Sequence, residues 1–340
     1  MGEKHSNTDA DVLIIGAGIC GLVAATILEE NGLRVCVIER EQTVGGRLAT
    51  MQVGDGLADT GAQYFAAYTP QFRSWVEHWI DDGLVFTWSN GFSDGSLIPK
   101  LIRHTDRPLY AVRGGMNALP KHLASKLKNV HTSREIMTAT CDKNGWILQD
   151  YDGELYTGRT LLTTLPVPLA LTILDEGATI LEDADLKALS AIKYSTNLTG
   201  VFQVDGPIAL PAPGAIQRNN ANIVWVGDNQ QKGVSPAIAT ITMQAGDGFS
   251  KEHWDDSDGM ILNTMRQNLK IMLPEKTTIL EAKLHRWQHA KPLTTHHERF
   301  LVASALSPLL FAGDAFDKPL VEGAVLSGQS AANVIIDTLL

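Results

Sequence analysis

Cysteine is scarce in this chain. Cys20, Cys36 and Cys141 are the three present in 340 residues. Three thiols cannot build a disulfide framework, and no two of them form a C-x-x-C pair, which argues against a disulfide reductase. Such usage fits a reducing compartment, and a cytoplasmic location is expected. Long apolar runs are also missing. No stretch reaches the roughly 18 residues of a membrane span, and the longest, Val12 to Leu28, contains a glycine motif that explains it. Basic charge is in deficit, with 28 Lys and Arg against 38 Asp and Glu and a formal net charge of −10. Neither a nucleic acid nor an anionic membrane surface suits that balance. Gly2 and Ser6 fit the bare pattern for N-myristoylation, but the polar stretch Met1 to Ala10 reads as a solvated tail. What is present is an ordinary globular composition, 44% hydrophobic and 19% charged, long enough for one large or two modest domains.

Val12-Leu13-Ile14-Ile15 is wholly apolar, as a buried parallel strand should be. It runs into Gly16-Ala17-Gly18-Ile19-Cys20-Gly21. A helix is expected over Leu22 to Glu30, closed by Asn31-Gly32. Arg34 to Ile38 reads as a second buried strand ending at Glu39. The glycines have separate tasks: Gly16 for the tight turn, Gly18 for backbone approach to a pyrophosphate, and Gly21 for close helix–strand packing. Free amides at the helix N-terminus favour phosphate. Glu39 stands where a carboxylate would accept hydrogen bonds from an adenosine ribose. A lone G-x-G-x-x-G is a weak signal; strand, helix, second strand and terminal acid in order make a dinucleotide site.

Two further motifs point to FAD over NAD. Val44-Gly45-Gly46-Arg47 follows the ribose acid, and Arg47 can offer its planar fork to a diphosphate. Near the other end, the strand Leu309 to Ala312 precedes Gly313-Asp314, a pair suited to a ribityl chain and phosphate. Glu322-Gly323-Ala324 then opens a final helix whose N-terminal amides would face a flavin ring and stabilise negative charge there. No second G-x-G-x-x-G exists for a nicotinamide cofactor. No cysteine lies between Gly313 and Gly328, so the FAD is expected to be non-covalent.

The chain resembles renalase and its bacterial relatives, within the monoamine-oxidase-like flavoproteins. The resemblance rests on Gly45-Gly46-Arg47, Ala58-Asp59-Thr60-Gly61-Ala62-Gln63-Tyr64-Phe65, Gly115-Met116, Leu165-Pro166-Val167-Pro168, Arg286-Trp287-Gln288-His289-Ala290-Lys291-Pro292, Gly313-Asp314, Val321-Glu322-Gly323-Ala324 and Leu326-Ser327-Gly328-Gln329, in that order over essentially the whole chain. It implies FAD contacts from Cys20, Arg47, Ala62 and Gln63, with Arg40, Gly61 and Ile136 completing the expected set; the Cys20 side chain itself reads as a small buried hydrophobe. It also implies an oxidase of wrongly reduced NAD(P)H isomers with O2 as acceptor.

The expected fold is α/β: a Rossmann-type FAD domain from residues 1–68, 100–168 and 284–340, with a mostly antiparallel substrate domain from 69–99 and 169–283. Helices are expected near Gln71–Asp81, Met116–Leu127 and Ser257–Met272. Val130 to Tyr156 reads as a hairpin region turning at Asp152-Gly153, and Arg159–Thr164 as a strand ended by Pro166 and Pro168. Strands are expected at Ser195–Val204, Asn222–Val226, Ala237–Met243 and Thr277–Trp287. Gln63, Tyr64, Trp287 and His289 are the expected substrate-pocket residues, with Arg286 and Lys291 as a basic rim for a dihydronicotinamide dinucleotide. No general base is required, because that substrate gains aromaticity by losing a hydride. His296-His297-Glu298 fits no zinc spacing and reads as a polar loop, so no metal is expected. Amine oxidation, another oxidase or desaturase reaction, or a flavin-bearing sensor without turnover are the alternatives. The absence of a lysine between Tyr194 and Asp205 counts against the first, and the inserted domain against the last.

Overall fold

A computed structural model describes residues 9–95, 102–219 and 221–340; Gly2 and Ser6 lie outside them. The chain forms two compact units, one from residues 1–46, 120–193 and 292–340, the other from 47–119 and 194–291. It crosses between them at other points than the sequence suggests. Residues 47–68 fall in the second unit, where the hairpin Thr50–Val53 and Gly56–Asp59 hydrogen-bonds to the sheet. Thr240 Oγ1 donates to Leu57 O, and Thr242 Oγ1 to Asp59 O at 2.8 Å.

The first unit is built on parallel strands. In spatial order they are Phe300–Ala303, Leu309–Ala312, Leu155–Thr163, Asp9–Ile15, Val35–Ile38 and Val130–His131, of which only the first is antiparallel to its neighbour. Val12 to Ile15 and Val35 to Ile38 are buried almost without exception, as a sheet covered by helices requires. The helix begins at Ile19, not Leu22, and ends at Glu30 with Asn31 as its cap. Helices Ile19–Glu30 and Val321–Leu339 pack closely: a Cβ on Gly328 would lie 2.3 Å from the Cys20 carbonyl oxygen, so no other residue fits there without moving a backbone. Cys20 is buried.

Two sequence expectations change in this unit. Val130–Tyr156 contains two successive hairpins, Ile136–Asp142 with Gly145–Asp150 and the latter with Leu155–Thr163, so the second arm and the expected strand at 159–164 are one element. Pro166 and Pro168 end that strand and also start a helix, Val167–Glu176. Proline is tolerated in a first turn, where its missing N–H has no partner to lose.

The second unit is a seven-stranded, almost wholly antiparallel sheet in the order Ile279–Pro292, Tyr194–Val204, Thr240–Ala245, Ile223–Asp228, Ala215–Gln217, Val85–Ser93 and Ile102–Val112. Helix Asp258–Lys270, capped by the Ser257 hydroxyl, turns Ile261, Leu262, Met265 and Leu269 onto Leu198, Phe202, Ile241 and Met243. The spacing of those four residues is the helical period, and each fully buried side chain contributes about 1.5–3 kcal/mol. Fold class thus stands as read: mixed α/β, with a Rossmann-like unit and a separate antiparallel sheet. Among the described residues, no helix is long and apolar enough to cross a membrane.

Candidate functional site

In the first unit the glycine fingerprint lies along one edge of the sheet. Ile15 is in register with Ile38 and Thr163, and Thr163 with Phe311. Gly16, Glu39, Thr164 and Gly313 therefore leave the sheet near the strands' carboxyl ends, where open α/β sheets bind ligands. Gly16 has φ +103°, and a Cβ on it would lie 2.8 Å from Thr164 Oγ1. A Cβ on Gly21 would lie 2.2 Å from the Gly16 carbonyl oxygen, so glycine is what lets the helix start this close to the strand. Gly18 is different. Its φ is −72° and a Cβ there would meet nothing within 4 Å. Neither backbone strain nor the protein's own packing requires this glycine; its effect is to keep open the space before a helix N-terminus that has no side-chain cap and no acid in its first turn. That is the cradle a diphosphate needs. Gly46 lies beside it, its absent Cβ 3.6 Å from Gly18 Cα.

Glu39 is buried on the same edge. Its Oε2 accepts from Ala17 N at 2.8 Å and its Oε1 from Glu41 N at 2.9 Å. Burial pushes its pKa up, and those two amides partly oppose the shift. Arg40 turns to the exposed carboxylates of Glu41 and Glu135, at 3.1 and 3.7 Å. Ile136 is buried at the start of its strand. Gly313 N donates to Ser327 Oγ at 2.8 Å, tying the Gly313-Asp314 turn to the last helix. Glu322, Gly323 and Ala324 are buried in that helix's first turn.

In the second unit the segment Asp59 to Gln63 is held through its carbonyls. Asp59 O accepts from Gln63 Nε2 at 2.8 Å and Thr242 Oγ1 at 2.8 Å. Thr60 O accepts from Trp287 Nε1 at 3.0 Å, Gln244 Nε2 at 3.1 Å and Thr199 Oγ1 at 3.2 Å. Gly61 O accepts from Gln244 Nε2 at 2.7 Å and Gln63 Nε2 at 3.1 Å. Arg47 O accepts from Ala62 N at 2.9 Å, and a Cβ on Gly61 would lie 2.0 Å from that same oxygen. Because the Gln63 amide nitrogen is spent on two carbonyls, Gln63 presents its Oε1, an acceptor.

Beneath this segment is a buried ion pair. Lys232 Nζ lies 2.6 Å from Asp59 Oδ2, with side chains 2% and 0% exposed. Asp59 Oδ1 also accepts from Thr50 Oγ1 at 2.6 Å and Met116 N at 2.8 Å. Lys232 Nζ sits 5.1 Å from the centroid of Trp88, and burial pushes its pKa down. Asp228 shapes the turn that presents it, accepting from Gln230 N and Gln231 N at 2.8 and 3.1 Å. The pair joins residues 173 positions apart, and no local pattern around Lys232 announces it. The strand Tyr194–Val204 does lack lysine, but another loop supplies a buried one.

Two adjoining cavities, of about 500 and 370 Å³, open in this unit. Tyr64, Gln217, Arg218 and Asn219 line both. Gly61, Ala62, Gln63, Trp225 and Gln244 complete much of the smaller, and Phe92, Asp94 and Thr105 much of the larger. Tyr64, Phe92 and Trp225 form an aromatic wall with centroids 5.0–5.7 Å apart, and the Tyr64 hydroxyl donates to Gln217 Oε1 at 3.0 Å. Burial raises the Tyr64 pKa. Gln63 and Tyr64 are thus brought together, and Trp287 reaches the same segment through Thr60. His289 packs edge-on against Tyr194, at 5.3 Å, and is not among the cavity-lining residues. Arg286 is spent elsewhere: it pairs with Asp258 and donates to Trp254 O and Asp256 O at 3.3 and 2.7 Å. It is no free rim cation, because three acceptors from residues 254–258 already satisfy it. Arg218, Gln244 and Trp225, which sequence patterns did not single out, occupy the cavities instead.

Residues 14–79 match the NAD(P)-binding Rossmann-like domain, and residues 82–336 match the flavin containing amine oxidoreductase family. Among curated proteins, an L-amino-acid oxidase of Siganus canaliculatus is 45% identical over 74 residues, 21% of this chain and 14% of that protein. Probable polyamine oxidase 4 of Arabidopsis thaliana is 28% identical over 120 residues, 35% of this chain and 19% of that protein. These matches span less than a fifth of either relative. Among solved structures, a putative protoporphyrinogen oxidase from Exiguobacterium sp. 255-15 superposes with TM-score 0.71 at 12% identity, covering 97% of this chain and 99% of the other. A putrescine oxidase triple mutant gives 0.68 at 16% identity, with the same coverages. At such identities the superpositions speak to the fold.

Proposed function

Since the chain belongs to the flavin-containing amine oxidoreductase family and is an FAD-dependent oxidoreductase, we propose that it oxidises 2- or 6-dihydro isomers of NAD(P) to the aromatic nicotinamide, with O2 as final acceptor and H2O2 as product. Bound FAD supplies the two-electron acceptor. Within the first unit, Gly16, Gly18, Gly21, Gly46 and the amides of helix Ile19–Glu30 take its diphosphate, Glu39 the adenosine ribose, and Gly313-Asp314 with Glu322, Gly323 and Ala324 the flavin end. Cys20, Arg40, Arg47, Gly61, Ala62 and Ile136 are assigned to FAD by motif and resemblance.

The lining of the two cavities carries this proposal: aromatic walls, carboxamides, one arginine, and among the described residues no histidine or lysine. A dihydronicotinamide needs a flat apolar slot and partners for its carboxamide, and no base, because the C–H bond it breaks already holds the hydride. Tyr64 and Trp225 supply the walls. Gln63 Oε1 accepts from the carboxamide N–H. Gln244 and Trp287 hold the Thr60-Gly61 backbone that positions Gln63. A dicationic polyamine would call for carboxylates, and the lining offers Asp94 alone.

Anaerobic mixing of oxidised holoenzyme with each dihydro isomer tests this, read as bleaching of the flavin. Fast bleaching by a 2- or 6-dihydro isomer is expected. A flavin that stays oxidised with these isomers and is reduced by simple amines would refute the substrate while leaving FAD in place. Arg218 favours one second reading, oxidation of an amino acid through its carboxylate, and amino acids belong in the same series.

A further inference from the structure

Arg218 is the only basic side chain lining either cavity among the described residues, and it lines both. Its place is built into the sheet. Strand Ala215–Gln217 pairs with Ile223–Asp228, placing Gln217 opposite Trp225, and Arg218 N continues the ladder by donating to Val224 O at 2.8 Å. Arg218 Nε donates to Asp94 O at 3.3 Å. The turn beneath is shaped around the guanidinium: Gly95 has φ +95°, and a Cβ there would lie 2.4 Å from Arg218 Nε and Nη2. No described carboxylate pairs with this arginine, although the protein carries ten more acidic than basic side chains. Other arginines here show what such a protein ordinarily does with a guanidinium: Arg34, Arg134 and Arg286 each bind an aspartate. A half-buried cation without an anionic partner among the described residues, lining the same cavities as an aromatic wall, is poised for an anion brought by a ligand.

We propose that Arg218 is the anion-binding residue of this site and takes an acidic group of the substrate, phosphate or carboxylate. Resting on the dihydronicotinamide reading, it assigns the substrate class more narrowly: a nucleotide held by its phosphate, favoured over the uncharged riboside. The Nη atoms of the fork make the contact while Nε stays on Asp94 O. Gln217 and Asn219, flanking Arg218 in both cavities, offer further polar contacts.

Two measurements on oxidised holoenzyme, whose own cofactor already fills the diphosphate cradle, test this. Calorimetry with inorganic pyrophosphate and with acetate reads anion binding without turnover. Anaerobic flavin reduction compares 6-dihydronicotinamide mononucleotide with its riboside. Arg218→Ala should weaken pyrophosphate binding about 10- to 100-fold, as loss of one charge-assisted contact does. It should also lower the mononucleotide-to-riboside preference about 10-fold or more, and Arg218→Lys should restore part of each. Gly95→Ala crowds the guanidinium without removing it and should reproduce the loss; partial recovery in Arg218→Lys, which keeps the charge, separates the effect from misfolding of the Ala variant. If acetate alone depends on Arg218 and no dihydronicotinamide reduces the flavin, the anion role stands with a carboxylate as its source, and the dihydronicotinamide reading falls. Equal binding of both anions by wild type and Arg218→Ala would overturn the inference, whatever the substrate proves to be.

Discussion

Replacing Lys232 by Met should be among the most damaging single changes to the second unit. Met nearly matches the lysine stem in length, so packing changes little, although the ammonium's contact with the Trp88 ring is lost. Electrostatics changes more. Asp59 is fully buried and loses one of three donors, the ammonium at 2.6 Å, while Thr50 Oγ1 and Met116 N remain. An ionised carboxylate left in such surroundings costs about 3–5 kcal/mol, a large fraction of the ~5–15 kcal/mol that holds a domain together. The Asp59→Asn, Lys232→Met double variant removes both charges and should recover most of that loss. Urea unfolding of the four proteins in a double-mutant cycle, followed by intrinsic fluorescence, measures the coupling. Burial depresses the Lys232 pKa, so the folded protein binds fewer protons than the unfolded chain in the alkaline range. The lysine's contribution to stability therefore rises with pH between its folded value and ~10.4, and that slope should vanish in Lys232→Met. A cost below ~1 kcal/mol for the single variant, or no recovery in the double, would refute this account of the pair.

Arg47→Ala should weaken FAD retention by about 1.5–3 kcal/mol, the worth of a charge-assisted contact; unchanged occupancy after gel filtration would remove Arg47 from the cofactor site. Gly18→Val should fold yet lose FAD, because its side chain would fill space that the protein itself leaves open; far-UV circular dichroism and flavin absorbance separate the two effects. Glu39 has a raised pKa, so in FAD-free protein its contribution to folding is greatest below the ordinary carboxylate range and is lost as pH rises through the folded value. Ribose hydroxyls donate to the charged form, so FAD affinity should fall as pH drops through that value, and in Glu39→Gln titrations it should be weak and flat over the same range. Trp287→Phe removes one of three donors to Thr60 O and should cost about 0.5–1.5 kcal/mol, whereas Trp287→Ala should also slow flavin reduction in stopped flow.

The first unit was the more legible in the sequence because its signals are local. Strand, glycine turn, helix and acid occupy consecutive residues, and each glycine answers a constraint within a few ångströms. Gly18 shows the limit of that logic, since its φ is ordinary and only the emptiness beyond its Cα explains it. The cavities were less legible. Gln217 and Trp225 face each other across one hairpin, but Tyr64 comes from 153 residues away, and no short pattern encodes that meeting. Arg286 misled because a basic residue beside a motif tryptophan looks available until Asp258 is seen against it. Lys232 gave no signal at all: Gln230-Gln231-Lys232-Gly233 reads as a solvated turn, and only the buried Asp59 makes it otherwise. Gln63 was found, but its amide orientation was not, because the two carbonyls that dictate it, of Asp59 and Gly61, are placed by the fold around them.

The interleaving of the two units also has a consequence for how the chain is made. Strand Leu155–Thr163, at the centre of the first unit's sheet, pairs on one side with Asp9–Ile15 and on the other with Leu309–Ala312. A ribosome delivers the whole second unit, through Lys291, before the outer partner exists. Until then the central strand has an open edge, with backbone groups that any other extended segment can satisfy. Such long sequence separations slow folding, and the central strand must wait at this edge for Leu309–Ala312. Aggregation during synthesis should therefore begin at Arg159–Thr163, and conditions that hasten release of the C-terminal segment should relieve it.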